Sequence, residues 1–119
     1  MKIGSIIEDR TFEQRVAVTP EIIKKYKSIG IEVFLSKNYA SHLGIADKNY
    51  IDEGAIIMNN DDEVISNSNA ILQMNIPNDN NLSKLKKDQI LIGVLNPFLN
   101  KNKLDLYNAL SFQNLNIFL

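Results

Sequence analysis

The chain contains no cysteine, which excludes disulfides, thiolate catalysis and the common zinc sites and suits a reducing compartment. It has a single histidine, His42, so no histidine-based metal constellation can be assembled and no metal site is expected. Its five glycines, at positions 4, 30, 44, 54 and 93, stand apart from one another. Neither GxGxxG nor GxxxxGK followed by Ser or Thr occurs, so no glycine-rich turn cradles a pyrophosphate at a helix N-terminus. Arginine is scarce too, at positions 10 and 15 alone. The formal charge is −1, and Lys24, Lys25, Lys27, Lys84, Lys86 and Lys87 are spread among acids and apolar residues. That distribution fits solvated helix faces and argues against nucleic acid as a partner. No apolar run approaches the ~20 residues needed to cross a bilayer, and the first is too short for a signal peptide. A soluble chain without a membrane segment is expected.

What is present is the composition of one ordinary globular domain: 119 residues, 45% hydrophobic and 23% charged. Lys2 to Ile7 reads as a strand. Thr19-Pro20-Glu21 reads as a helix start, with Thr19 as cap, Pro20 at the first position and Glu21 at the positive end of the dipole. Ile22, Ile23, Tyr26 and Ile29 share one face of that helix, and Gly30 supplies its left-handed cap. Ile31 to Leu35 is a second strand, which makes a βαβ unit with parallel pairing. Further along, Asp47 to Glu53 forms a short helix ending at Gly54, Ala55 to Met58 a brief strand, and Asp61 caps a helix through Ser66. Ala70 to Met74 and Gln89 to Val94 are strands stopped by Pro77 and Pro97, with a polar connection and one helical turn between them. A helix from Asn100 or Asn102 to about Leu110 and a strand from Asn116 to Leu119 complete the pattern. The alternation predicts an α/β domain with a doubly wound, mostly parallel sheet, Rossmann-like or flavodoxin-like but lacking the glycine-rich dinucleotide motif.

The most informative segment is Glu13-Gln14-Arg15-Val16-Ala17-Val18-Thr19-Pro20. It places the guanidinium of Arg15 on the crossover from first strand to first helix, at the sheet edge where ligands collect in open α/β folds. Two other segments leave strands on that edge: Gln73-Met74-Asn75-Ile76-Pro77 and Val94-Leu95-Asn96-Pro97. Arg15, Gln73, Asn75 and Asn96 together make a candidate polar pocket, in which Arg15 would hold a carboxylate or phosphate and the amides would donate and accept hydrogen bonds. The competing reading is local: Arg15 packs on the surface, and Asn75 and Asn96 satisfy turns before prolines.

Met1-Lys2-Ile3-Gly4, the following loop and Arg15-Val16-Ala17-Val18-Thr19-Pro20 resemble the start of the alanine dehydrogenase and nicotinamide nucleotide transhydrogenase family. The resemblance runs across essentially all 119 residues and includes Gly30-Ile31-Glu32-Val33 and the block from Asp47 to Ala55. It departs at Asn38-Tyr39-Ala40, where the family has Gly-Ala-Gly. In alanine dehydrogenases the segment matching Gln73 to Pro77 carries a catalytic lysine at the place of Asn75, and a catalytic histidine falls near Asn96 or Leu95. Neither is present, so the resemblance implies no catalytic and no cofactor-binding residue in this chain and favours the transhydrogenase branch. For that branch it implies a domain spanning 1–119 that ends before a second, NAD(H)-binding Rossmann lobe. It also implies hydride transfer between NAD(H) and NADP(H) coupled to proton translocation. The implied partners are a beta subunit and a second alpha subunit, in the cytoplasm and peripheral to the inner membrane. No cofactor is expected for these 119 residues alone. The alternatives are a piece of an alanine dehydrogenase-like oxidoreductase, or a non-catalytic binding or scaffold domain.

Overall fold

The structure is a computed structural model that describes residues 1–93 and the backbone of 116–118. Six strands form one sheet: β1 (Lys2–Ser5), β2 (Glu32–Ser36), β3 (Ile56–Met58), β4 (Ala70–Gln73), β5 (Ile90–Gly93) and β6 (Asn116–Phe118). Their order is β3-β2-β1-β4-β5-β6, and every pairing is parallel. This is the strand order of doubly wound dinucleotide-binding folds, with its reversal between β1 and β4. The expected fold class is the observed one. The helices are α1 (Pro20–Ser28), α2 (Asp47–Asp52), α3 (Asp61–Asn67) and α4 (Asp79–Leu82), with a 3-10 turn at Ser41–Leu43.

A sheet covered on both faces needs strands that are apolar on both sides. In β2, Val33 and Leu35 point to one face and Phe34 to the other. Val33 and Leu35 pack with Val18, Ile23, Tyr39 and Tyr50 under α1 and α2. Phe34 packs with Ile6, Val64, Ile65, Ile71 and Leu82 under α3 and α4. Gly4 sits where β1 meets the end of α3, and a Cβ there would stand 2.1 Å from Ser68 Oγ and 2.8 Å from Val64 Cγ1. Only a residue without a side chain lets strand and helix approach that closely.

Some local expectations need correction. Thr19 takes the N-cap position of α1, but its side chain makes no cap hydrogen bond; its carbonyl accepts from Ile22 and Ile23. Asn60, not Asp61, caps α3, its Oδ1 accepting the Glu63 N–H at 2.9 Å. Ile29 is 71% exposed and leaves the apolar face of α1, because α1 ends at Ser28 before the turn through Gly30, φ +85°. Gln89 precedes β5 instead of opening it; its buried amide nitrogen donates to the carbonyls of Ile65 and Ser68. The helix expected from Asn100 or Asn102 lies outside the described residues.

Candidate functional site

The site follows from the reversal in strand order. β1 and β4 pair through Ile3–Ala70 and Gly4–Ile71. Beyond that register their connections leave toward opposite faces, and a crevice opens between the two C-terminal ends. Side chains continue the ladder into it. The carboxamide of Gln73 replaces a peptide group: Oε1 accepts the Ile6 N–H at 2.7 Å, and Nε2 donates to the Ile6 carbonyl at 3.1 Å. One step further out, the carboxylate of Glu8 accepts from Gln73 Nε2 at 3.1 Å, the Met74 N–H at 2.6 Å and the Asn75 N–H at 3.2 Å. Glu8 is 5% exposed. Burial raises its pKa, the hydrogen bonds from Met74 and Asn75 oppose that, and Glu13 and Arg15 act through space in opposite directions.

A second buried network holds the Arg15 loop. Tyr39 is 1% exposed, and its hydroxyl accepts the N–H groups of Ala17 at 3.2 Å and Val18 at 3.3 Å. Ser5 Oγ lies 2.7 Å from that hydroxyl and 2.5 Å from the Leu72 carbonyl. A carbonyl only accepts, so the serine proton goes to Leu72 and the phenol proton to Ser5. Tyr50 completes the clamp by donating to the Val18 carbonyl at 2.8 Å, and its ring meets that of Tyr39 edge to face at 5.7 Å. Burial pushes the Tyr39 phenol well above its ordinary pKa and the Tyr50 phenol up to about 12, so both remain proton donors at neutral pH. Further back in the loop, His42 Nε2 lies 2.8 Å from the Gln14 carbonyl, and Arg10 donates to the carbonyl of Asn38. Asn38 takes the left-handed conformation, φ +64°, at the start of the segment that departs from Gly-Ala-Gly. Asp47 stabilises it by accepting the Asn38 N–H.

These two networks place the four sequence-predicted residues differently. Arg15 stands on the loop between β1 and α1 with its side chain 63% exposed, and Glu13 holds one edge of its fork through Nε and a terminal nitrogen, both at 2.9 Å. That contact lowers the pKa of Glu13. Gln73 and Asn75 both line a cleft of about 470 Å³ at the crevice mouth, together with Glu8, Asp9, Phe12 and Asp61. The Gln73 amide is fully occupied by Ser5, Ile6 and Glu8, which makes it a staple of the wall. Asn75 Oδ1 accepts the Ile76 N–H at 2.9 Å. Arg15 does not line the cleft, but its charge is felt at Glu8. Asn96 lies outside the described residues. Sequence reasoning missed Glu8, Tyr39 and Ser5. The available signals were a polar residue inside the apolar run Ile3 to Ile7 and a carboxylate just past a central strand.

Residues 5–117 match the family described as alanine dehydrogenase/PNT, N-terminal domain. The chain belongs to that family. Among curated relatives, the N(5)-(carboxyethyl)ornithine synthase of Lactococcus lactis subsp. lactis (strain IL1403) is 33% identical over 98 residues, 82% of this chain and 30% of that protein. An NAD(P) transhydrogenase subunit alpha polypeptide of Rickettsia prowazekii (strain Madrid E) is 30% identical over 105 residues, 84% of this chain and 27% of that protein. The alanine dehydrogenase of Mycolicibacterium smegmatis is 30% identical over 95 residues, 80% of this chain and 26% of that protein. The chain therefore spans less than a third of the length of these relatives. Among solved structures, the transhydrogenase from Sinorhizobium meliloti superposes with a TM-score of 0.82 at 22% identity, over 93% of this chain and 33% of that one. An L-alanine dehydrogenase gives 0.83 at 22% identity, over 93% and 30%. At this identity the structures share the fold. The alanine dehydrogenase/PNT N-terminal family includes oxidoreductases of both kinds, and membership does not choose between them. No helix among the described residues is long and apolar enough to cross a membrane.

Proposed function

We propose that this chain is the N-terminal lobe of an NAD(P) transhydrogenase subunit alpha. In that role it forms one wall of a two-lobed soluble unit. The second lobe binds NAD(H), and hydride passes to NADP⁺ on a beta subunit, coupled to proton translocation. A second alpha subunit completes the assembly, held at the cytoplasmic side of the inner membrane. Arg15, Gln73, Asn75 and Asn96 form the polar wall facing the second lobe.

The observation that carries this reading is Asn75. It stands where alanine dehydrogenases are expected to hold a lysine, its Oδ1 takes its neighbour's N–H, and its own N–H is tied to Glu8. A carboxamide does not titrate in the working range of an enzyme and serves as neither general acid nor base. It can orient a bound group, which is what transfer of hydride between two nicotinamides requires of a wall. The identity to the Lactococcus lactis enzyme favours a second reading, an oxidoreductase that forms N(5)-(carboxyethyl)ornithine. Steady-state assays on the polypeptide that carries this lobe separate the readings. Reduction of an NADP⁺ analogue by NADH, with the beta subunit present, is the expected activity. NAD⁺-dependent oxidation of alanine, or formation of N(5)-(carboxyethyl)ornithine, would replace it with one of the others.

A further inference from the structure

We propose that Glu8 is a built-in anion: its carboxylate fills the crevice between β1 and β4 and positions the turn that carries Asn75. In doubly wound folds the crevice at the strand reversal is where a ligand's anionic groups meet backbone N–H donors. Here the donors are the N–H groups of Met74 and Asn75 and the Nε2 of Gln73, and the oxygens that meet them belong to Glu8. All three donors can only donate, so they select the carboxylate over the carboxylic acid. The residue is 5% exposed, and its carboxylate closes the floor of the cleft that Asn75 lines. Two consequences follow. The crevice is closed to an external anion by the chain's own side chain. The backbone of 74–75 is fixed to the exit of β1, just before the loop that presents Glu13 and Arg15 begins to turn.

Glu8 is thus a positioning residue that acts through Asn75. In its functional arm the inference rests on the transhydrogenase reading; in its spectroscopic arm it does not. The test is Glu8→Ala in this chain, followed by ¹H–¹⁵N spectra at neutral pH during titration with sodium formate, with sodium chloride at equal ionic strength as control. Removing the carboxylate should move the Met74 and Asn75 amide protons upfield. Formate should enter the vacated space and return them toward their original positions with saturation, while chloride does not. Unmoved amides, or equal responses to formate and chloride, would overturn the inference. If Glu8→Ala does not fold, Glu8→Gln keeps the volume and removes the charge. The same two amides should then move upfield, and unmoved amides count against the inference in the same way. In the polypeptide that carries the second lobe, Glu8→Ala should lower hydride transfer on the order of tenfold, the equivalent of one hydrogen bond to a charged group, and formate should restore part of it. Absence of hydride transfer by the unaltered polypeptide would remove the transhydrogenase reading and leave the spectra to judge Glu8.

Discussion

Replacing Tyr39 by phenylalanine removes one oxygen from the interior and disconnects the Arg15 loop from the sheet. The hydroxyl accepts two backbone N–H groups and gives its proton to Ser5, so three contacts end together. Val18 is completely buried, and its N–H would have no acceptor. A buried donor left unsatisfied costs about 1–3 kcal/mol and an ordinary net hydrogen bond about 1 kcal/mol. Ala17 is half-buried and recovers part of its loss from water. The sum is about 2–4 kcal/mol, a fall in melting temperature on the order of 10 °C for a domain of this size. Tyr50→Phe is the internal control. It removes a single bond, to the Val18 carbonyl, and should cost about 1–2 kcal/mol. Urea melts of the two variants, read by far-UV circular dichroism, give the comparison. A Tyr39→Phe cost below about 1 kcal/mol, or one no larger than that of Tyr50→Phe, would refute the claim that the phenol organises this loop.

Gly4→Ala should destabilise the chain by at least about 1–3 kcal/mol, the usual cost of overpacking, because the new Cβ meets Ser68 and Val64 where strand and helix cross; a neutral urea melt would contradict that. Glu8 should make stability depend on pH in an unusual direction. Burial raises its folded pKa above the ordinary 4.5, so its contribution is full below that value and is lost as pH rises through the folded midpoint. Glu13, lowered by Arg15, acts oppositely, contributing above its ordinary range and losing that contribution as pH falls. The stability of the wild type minus that of Glu8→Gln should therefore decline as pH rises upward from 4.5; urea melts showing a flat or rising difference would be against it. Arg15→Ala in the complete polypeptide should lower hydride transfer on the order of tenfold, as for loss of a hydrogen bond to a charged group, with the circular dichroism spectrum unchanged. Unaltered transfer would make Arg15 a partner of Glu13 alone.

The fold was legible because it is written in periods and punctuation. Alternating strands and helices, Pro20 at a helix start, and glycines at 30 and 54 with positive φ all act locally. The two-faced core shows in the unbroken apolar run of β2. Cap identities were less legible, since Asn60 and Asp61 are chemically equivalent as caps and only the exact entry angle of α3 selects one. The site was half legible. Arg15 and Asn75 are visible because motif and edge position point at them. Glu8 and Tyr39 are not, because their partners lie 66 and 22 residues away in sequence, at Met74 and Ala17. Buried polar networks are set by which loops the topology brings together, and no local pattern encodes that.

The central claim is that this lobe serves transfer between two nicotinamides and not the oxidation of an amino acid. The direct measurement is the fate of a deuterium atom. NADH deuterated at the transferable position of its nicotinamide is incubated with the polypeptide carrying this lobe and its beta subunit. NADP⁺, pyruvate and ammonium are supplied together as competing acceptors, and the products are analysed by mass spectrometry. The account predicts the label in NADPH and none in alanine. Deuterated alanine, with NADPH unlabelled, would contradict it.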